Sequence, residues 1–236
     1  MAHGLALAAA GAAVLDIGGE STRPGADPVS LEEESRRVLP VIEELTRRGP
    51  GCGISIDTRN AGVAEQALAA GATIVNDVSA GLDDPGMLAL VARERAEIVL
   101  MHKRGDPRTM QDAPAYDDVV EEVLAWLLER AAAAEDAGVP PARIWIDPGI
   151  GFGKTLEHNL SLLRHLERFT EQPYGVLLGT SRKSFLGRLT GRDVQDRLAG
   201  SLATVARAHR AGVAALRVHD VGPTHELLTV LDAISV

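Results

Sequence analysis

Asp147 closes the apolar run Ile144-Trp145-Ile146 and opens a loop carrying Gly149, Gly151 and Gly153, after which a helical pattern starts at Thr155. Glycines at alternate positions let a backbone come close to a ligand, and a strand that stops at an aspartate presents a carboxylate there. Phe152 sits in the same loop without an evident core partner, in a chain only 3% aromatic. The end of the loop, Gly153-Lys154-Thr155, reproduces the last residues of a nucleotide P-loop. That motif also needs a glycine separated by four residues from its Gly-Lys pair. Pro148 stands there instead and has no N–H to give an anion, so the P-loop reading is set aside.

Other apolar runs end in polar residues too: Asp16 with Glu20, Asp57, Asn76 with Asp77, His102, Ser181 with Lys183, and Arg217 with His219 and Asp220. Asp57 or Asp147 alone could be a helix N-cap or half of an ion pair. Together with the neutral amide of Asn76 they suit a flat heterocycle with several N–H and amino donors. Lys183 and Ser184 could be a surface lysine beside a helix-start serine. Arg217 and His219 lie two apart, on one face if the strand runs through both, and two N–H donor groups in one volume suit an oxyanion or phosphate. Arg23, Arg59, Lys103, Arg104, Lys154, Arg182, Lys183 and Arg217 collect near the same run ends, although the chain carries a net charge of −9. A basic mouth on an acidic chain suits a small anion such as a phosphate or diphosphate. Solvated surface charge is the alternative, and Lys103 and Arg104 fit it best. No group of His, Asp and Glu has zinc-site spacing.

Seven short apolar runs position these residues: 14–17, 54–57, 73–76, 97–101, 144–147, 176–178 and 216–219. Their β-branched content and length predict buried parallel strands, and a helical pattern follows each. Ser30-Leu31-Glu32-Glu33 reads as a capping box, Asp84-Pro85 as a helix start, and Gly71, Gly138 and Gly212 as helix stops before strands. Strand–helix alternation leaves a doubly wound sheet or a barrel. Chemistry at every strand end, rather than at one switch point, selects the TIM barrel. The 236 residues form one domain with no linker. No apolar run is long enough for a membrane span, and the first residues lack a basic start and a cleavage context, which predicts a cytoplasmic protein. The acidic balance speaks against nucleic acid or anionic membrane as partners, and the single cysteine, Cys52, excludes an internal disulfide.

The run from Gly11 to Gly25, with Asp16-Ile17-Gly18-Gly19-Glu20-Ser21-Thr22-Arg23-Pro24 at its centre, closely resembles the pterin-binding signature of the dihydropteroate synthase family. So do Ile56-Asp57-Thr58, Asn76-Asp77-Val78-Ser79, Leu100-Met101-His102, Asp147 to Lys154, Ser181-Arg182-Lys183-Ser184-Phe185 and Arg217-Val218-His219-Asp220. The resemblance implies a TIM barrel that joins 6-hydroxymethyl-7,8-dihydropterin diphosphate to 4-aminobenzoate and releases pyrophosphate in folate synthesis. It implies that Asp57, Asn76, Asp147 and Lys183 hold the pterin, with Met101 and Arg217 lining or stacking on it. Arg217 and His219, with Thr22 and Arg23, would take the diphosphate, and Phe152, Pro24, Lys183 and Ser184 would shape the aminobenzoate slot. Lys183, Arg217 and His219 are the expected catalytic residues, Mg²⁺ the expected cofactor, and a homodimer the expected assembly.

The family opens with a further strand, bearing a metal-contacting Asn, and a loop over the site. Neither has a counterpart here, and residues 1–11 look like the tail of the helix that follows that strand. The expectation is therefore a (β/α)8 barrel short of its first strand, with unpaired edges on the runs at Val14 and Leu216 and little synthase activity from this chain alone. Two other functions remain open from the sequence: a pterin binder without turnover, and a methyltetrahydrofolate–corrinoid methyltransferase, which would not need the Ser181 to Ser184 run or the diphosphate clamp.

Overall fold

A computed structural model describes residues 1–21, 29–105, 109–110 and 112–234. Seven strands alternate with helices: β1 Val14–Gly18, β2 Gly53–Asp57, β3 Ile74–Asp77, β4 Glu97–Met101, β5 Ile144–Asp147, β6 Gly175–Gly179 and β7 Ala215–Arg217. The helices are α1 Ala2–Ala9, α2 Leu31–Arg48, α3 Ala61–Ala69, α4 Met87–Glu94, α5 Val119–Asp136, α6 Leu156–Arg164, α7 Glu167–Thr170, α8 Ser184–Thr190, α9 Leu198–Arg210 and α10 Val221–Ile234. The strands are all parallel and lie in chain order, β1 through β7. The last is shorter than the apolar run suggested: β7 stops at Arg217, so His219 is not on the strand. Among the described residues nothing pairs with the outer edges of β1 and β7.

Strand register decides which side chains share a face. Gly18 lies opposite Asp57, Asp57 opposite Asn76, Asn76 opposite Val99, and Met101 opposite Asp147. Side chains alternate along a strand, so Asp16, Asp57, Asn76, Met101 and Asp147 all project from one face. Gly179 and Arg217, which are opposite each other, continue it. The other face carries Ile54, Ile56, Val75, Ile98, Leu100, Ile144, Ile146, Val176 and Leu178, all buried. These pack under the helices: Val38, Ile42 and Leu45 of α2 and Val63 and Ala67 of α3 join one cluster. Val123 and Leu127 of α5, Leu162 of α6, Phe169 of α7 and Ala208 of α9 join a second. The apolar layer lies outside the sheet, and the polar strand ends face inward.

The sheet curls. Arg217, at the end of β7, donates to Asp16 on β1 at 2.6 Å and to Asp57 on β2 at 2.8 Å, so the last strand comes round beside the first two. Outside the sheet, a Cβ on Gly11 would lie 3.1 Å from the His225 ring of α10, which brings the final helix against the turn before β1.

Local signals explain most helix ends. Ser30 Oγ accepts from Glu33 N at 3.3 Å, but the Glu33 carboxylate is engaged by Arg36 and Arg37, so only half of the expected capping box forms. The reciprocal box is at Thr155 and His158 instead. Pro85 precedes α4 rather than beginning it, while the Asp84 carboxylate accepts from Gly86 N and Ala61 N. Gly71, Gly138 and Gly212 have φ of +113°, +100° and +76°, where a side chain is strained. At Gly71 a Cβ would also overlap the Thr46 hydroxyl, which hydrogen-bonds the Ala70 carbonyl. Gly71→Ala is expected to lose about 1–3 kcal/mol of stability, read as a lower urea midpoint at an unchanged slope.

Candidate active site

Parallel strands deliver all their C-terminal ends to one rim, and the inward face there forms a polar bowl. Asp57, Asn76 and Asp147 line it with 9%, 7% and 6% of their surface exposed. Asn76 Nδ2 donates to Asp16 Oδ2 at 3.1 Å, so Asp16 accepts from both Asn76 and Arg217. Its other oxygen is buried without a hydrogen-bond partner. Burial first, and then the Asp16 carboxylate, lift the Asp57 carboxyl to about 7, with Arg217 opposing the rise. Met101 is buried beside this group.

Across the bowl, Asp147 accepts from Gly149 N at 2.7 Å. Burial raises its pKa, and the nearby Lys183 ammonium opposes the rise. Lys183 caps the start of α8. It reaches the Ile150 carbonyl and lies over the Phe152 ring at 4.9 Å from its centre. Burial brings its pKa down to about 8, with Asp147 resisting. The aromatic ring without a core partner thus stands under a cation at the mouth. Ser184, the next residue, is exposed in the first turn of α8.

The glycine loop after β5 is pressed against the exit of β4. Gly149, Gly151 and Gly153 have φ of +66°, +87° and +61°. A Cβ on Gly149 would overlap the His102 carbonyl, and one on Gly153 the Arg104 carbonyl. Lys154 is buried behind this loop. The desolvated ammonium has its pKa brought down to about 7, and burial with that neighbouring charge holds His102 near 3.

The basic residues of the mouth mostly have acidic partners. Arg59 pairs with Glu20 and with Asp83, and Lys103 pairs with the same Asp83, all at 3.1 Å. Arg104 contacts the Ala115 carbonyl, Glu122 and the Tyr116 ring. Arg182 forks onto Asp220. Among the described residues the expected basic mouth therefore narrows to Lys183 and to Arg217, which pairs with Asp16 and Asp57 yet keeps 52% of its side chain exposed. Arg217 and His219 also diverge: Arg217 turns to the two aspartates, while His219 Nδ1 lies 3.0 Å from the hydroxyl of Ser181. Thr22, Arg23 and Pro24 lie outside the described residues. Among the described residues no three His, Cys, Asp or Glu side chains are grouped to hold a metal ion.

Sequence reasoning gave Asp16 no role beyond its place at a strand end. Its signal was a lone carboxylate between Leu15 and Ile17 in an apolar run. The ties Arg182–Asp220 and Lys154–His102 had no signal of spacing, because each joins different loops. Asp77, by contrast, points away from the bowl and closes the turn after β3 by accepting from Ser79 and Gly81.

The carboxyl of Asp57 binds a proton more tightly folded than unfolded, so its contribution to stability is largest below about pH 4 and is lost as pH rises through 7. Asp57→Asn removes that loss. Its melting temperature relative to the unaltered chain should therefore climb between pH 4 and pH 7, checked by thermal scans across that range.

The pterin-binding enzyme family matches residues 1–219. Dihydropteroate synthase of Escherichia coli K12 is 45% identical over 224 residues, covering 95% of this chain and 79% of the relative. A structure of the Xanthomonas albilineans dihydropteroate synthase with 4-aminobenzoic acid superposes with a TM-score of 0.93 at 51% identity, covering 100% of this chain and 84% of that one. The same enzyme with 7,8-dihydropteroate gives 0.89 at 47% identity, with the same coverage of both chains. The inward carboxylates, the glycine loop and the Arg217 bridge thus belong to a fold shared along nearly its whole length, and this chain is a member of the dihydropteroate synthase family of pterin-binding enzymes.

Proposed function

We propose that residues 1–236 act as one pterin-binding domain that condenses 6-hydroxymethyl-7,8-dihydropterin diphosphate with 4-aminobenzoate, giving 7,8-dihydropteroate and pyrophosphate. The observation that carries this reading is the convergence of Asp57, Asn76, Asp147 and Lys183 on one bowl whose rim holds Arg217. Buried carboxylates and an amide can read the donors and acceptors of a planar pterin edge-on, and a partly exposed guanidinium at the mouth can meet a diphosphate. Phe152 under Lys183 offers a face and a charge to an aromatic amine with a carboxylate, and Ser184 and Pro24 are proposed to complete that slot. Thr22 and Arg23, which follow β1 in the chain, are proposed to join Arg217 and His219 on the phosphates.

The chemistry needs no nucleophile from the protein. The amine nitrogen of aminobenzoate attacks the pterin methylene, the C–O bond to diphosphate breaks with its electron pair on oxygen, and the amine loses a proton. Positive charge develops on the pterin side and negative charge on the leaving group. Asp57 and Asp147 stand where they oppose the first, and Arg217, with Lys183 and His219, the second. Mg²⁺ is proposed to arrive with the diphosphate, since among the described residues no three His, Cys, Asp or Glu side chains are grouped to hold it. The seven consecutive parallel strands support a (β/α)8 barrel short of one strand as the architecture, and a cytoplasmic homodimer is the proposed setting.

Pyrophosphate release that depends on both substrates tests the reading. Calorimetric binding of the dihydropterin diphosphate with no release would select a pterin binder instead. Arg217→Ala should lower turnover by about a hundredfold, the scale of one lost oxyanion donor; undiminished turnover would remove Arg217 from the reaction.

A further inference from the structure

Lys154 is one of the most buried charged side chains in the molecule, with 3% of its surface exposed, and it lies behind the bowl rather than in it. An ammonium has three N–H donors. Here three acceptors meet them at short range: His102 Nδ1 at 2.9 Å, Gly149 O at 3.0 Å and Phe152 O at 3.0 Å, with His102 O farther off at 3.4 Å. A buried ammonium is costly unless all its donors are used, so the geometry of these acceptors is tightly set. Two of them are the first and fourth residues of the glycine turn, which is also closed by Phe152 N donating to Gly149 O at 3.1 Å. Asn159, itself buried, holds the far side: its Oδ1 accepts from Gly151 N at 2.7 Å.

Within the turn Ile150 is anchored in the second core cluster, but Gly149, Gly151 and Gly153 have no side chains to pack, so the segment around Phe152 relies on backbone bonds. What it presents to the bowl is the Ile150 carbonyl, which receives Lys183, and the Phe152 ring beneath that ammonium. Among the described residues the hydrogen bonds of Lys154 go to His102, Gly149 and Phe152, not to the strands that carry Asp57, Asn76 and Arg217.

We propose that Lys154 is a positioning residue for the aromatic amine: it clamps the glycine turn to His102 on the neighbouring strand exit and so sets Phe152 and Lys183 in place. This rests on the synthase reading of the bowl. Neither Phe152 nor Lys183 bonds to Lys154 through its own side chain, so its effect is transmitted through the backbone carbonyls of the turn.

Lys154→Met keeps the length of the side chain and removes its donors. The KM for 4-aminobenzoate is expected to rise about tenfold, the scale of one lost hydrogen bond to a charged group, and the KM for dihydropterin diphosphate by a clearly smaller factor, because Asp57 and Asn76 have no bond to the turn, whereas Lys183 and Asp147 do. Amide hydrogen exchange over Gly149–Gly153 should quicken by about tenfold relative to β2. If the Met variant does not fold, Lys154→Gln, which retains two donors, carries both measurements. Equal changes in the two KM values, or unchanged exchange in the turn, would overturn the clamp. Should the unaltered chain release no pyrophosphate, the synthase reading fails on that result alone, and the exchange comparison still decides whether Lys154 holds the turn.

Discussion

Two carboxylates side by side on neighbouring strands, one buried and one half-buried, repel each other unless a cation stands between them. Asp16 and Asp57 stand in that relation, and Arg217 supplies the cation from the opposite end of the sheet. Everything at the rim follows from this contact. It holds the end of β7 beside β1 and keeps a guanidinium at the mouth of the bowl, while burial leaves Asp57 able to take up or release a proton near neutrality. A phosphate-bearing ligand would compete with the aspartates for that guanidinium. Binding at the mouth and protonation inside the bowl are thereby linked through one side chain.

The opposite wall is organised by backbone rather than by side-chain charge. Gly149, Gly151 and Gly153 place the turn so near β4 that its carbonyls, not its side chains, become the groups that bind cations. Lys183 takes one such carbonyl from the ligand side and Lys154 takes two from behind. The two ammonium groups differ in consequence. Lys183 shares its charge with Asp147 and a ring open to the mouth, whereas Lys154 has no carboxylate hydrogen-bonded to it among the described residues and is held by carbonyls and an imidazole.

Much of this was legible in the sequence for a physical reason. Parallel strands put every C-terminal end on one rim, so polar residues that close apolar runs must converge whatever the connecting helices do. Asp57, Asn76 and Asp147 were readable in that way, and the left-handed glycines at 71, 138 and 212 marked helix ends correctly. Pairing across loops was not legible. Nothing in the spacing says that Arg59 meets Glu20 and Asp83, or that Arg182 meets Asp220, because those contacts depend on how loops of unequal length settle over the rim. For the same reason a row of eight cations suggested an open basic mouth, where most of the charge is already neutralised by neighbours. His219 was misplaced by a simpler effect: the apolar run continues through Val218, but β7 ends at Arg217 once its pairing with β6 runs out.

Cys52 immediately precedes β2, whereas Asp57 ends it, so the one thiol of the chain lies on the rim opposite the bowl. A five-residue strand separates the two by about 15 Å. Burial pushes that thiol's pKa up, which slows alkylation at neutral pH and speeds it in mild alkali. A fluorophore or a surface tether attached there would leave the opening directed into solution, giving immobilised molecules a single orientation without any engineered cysteine.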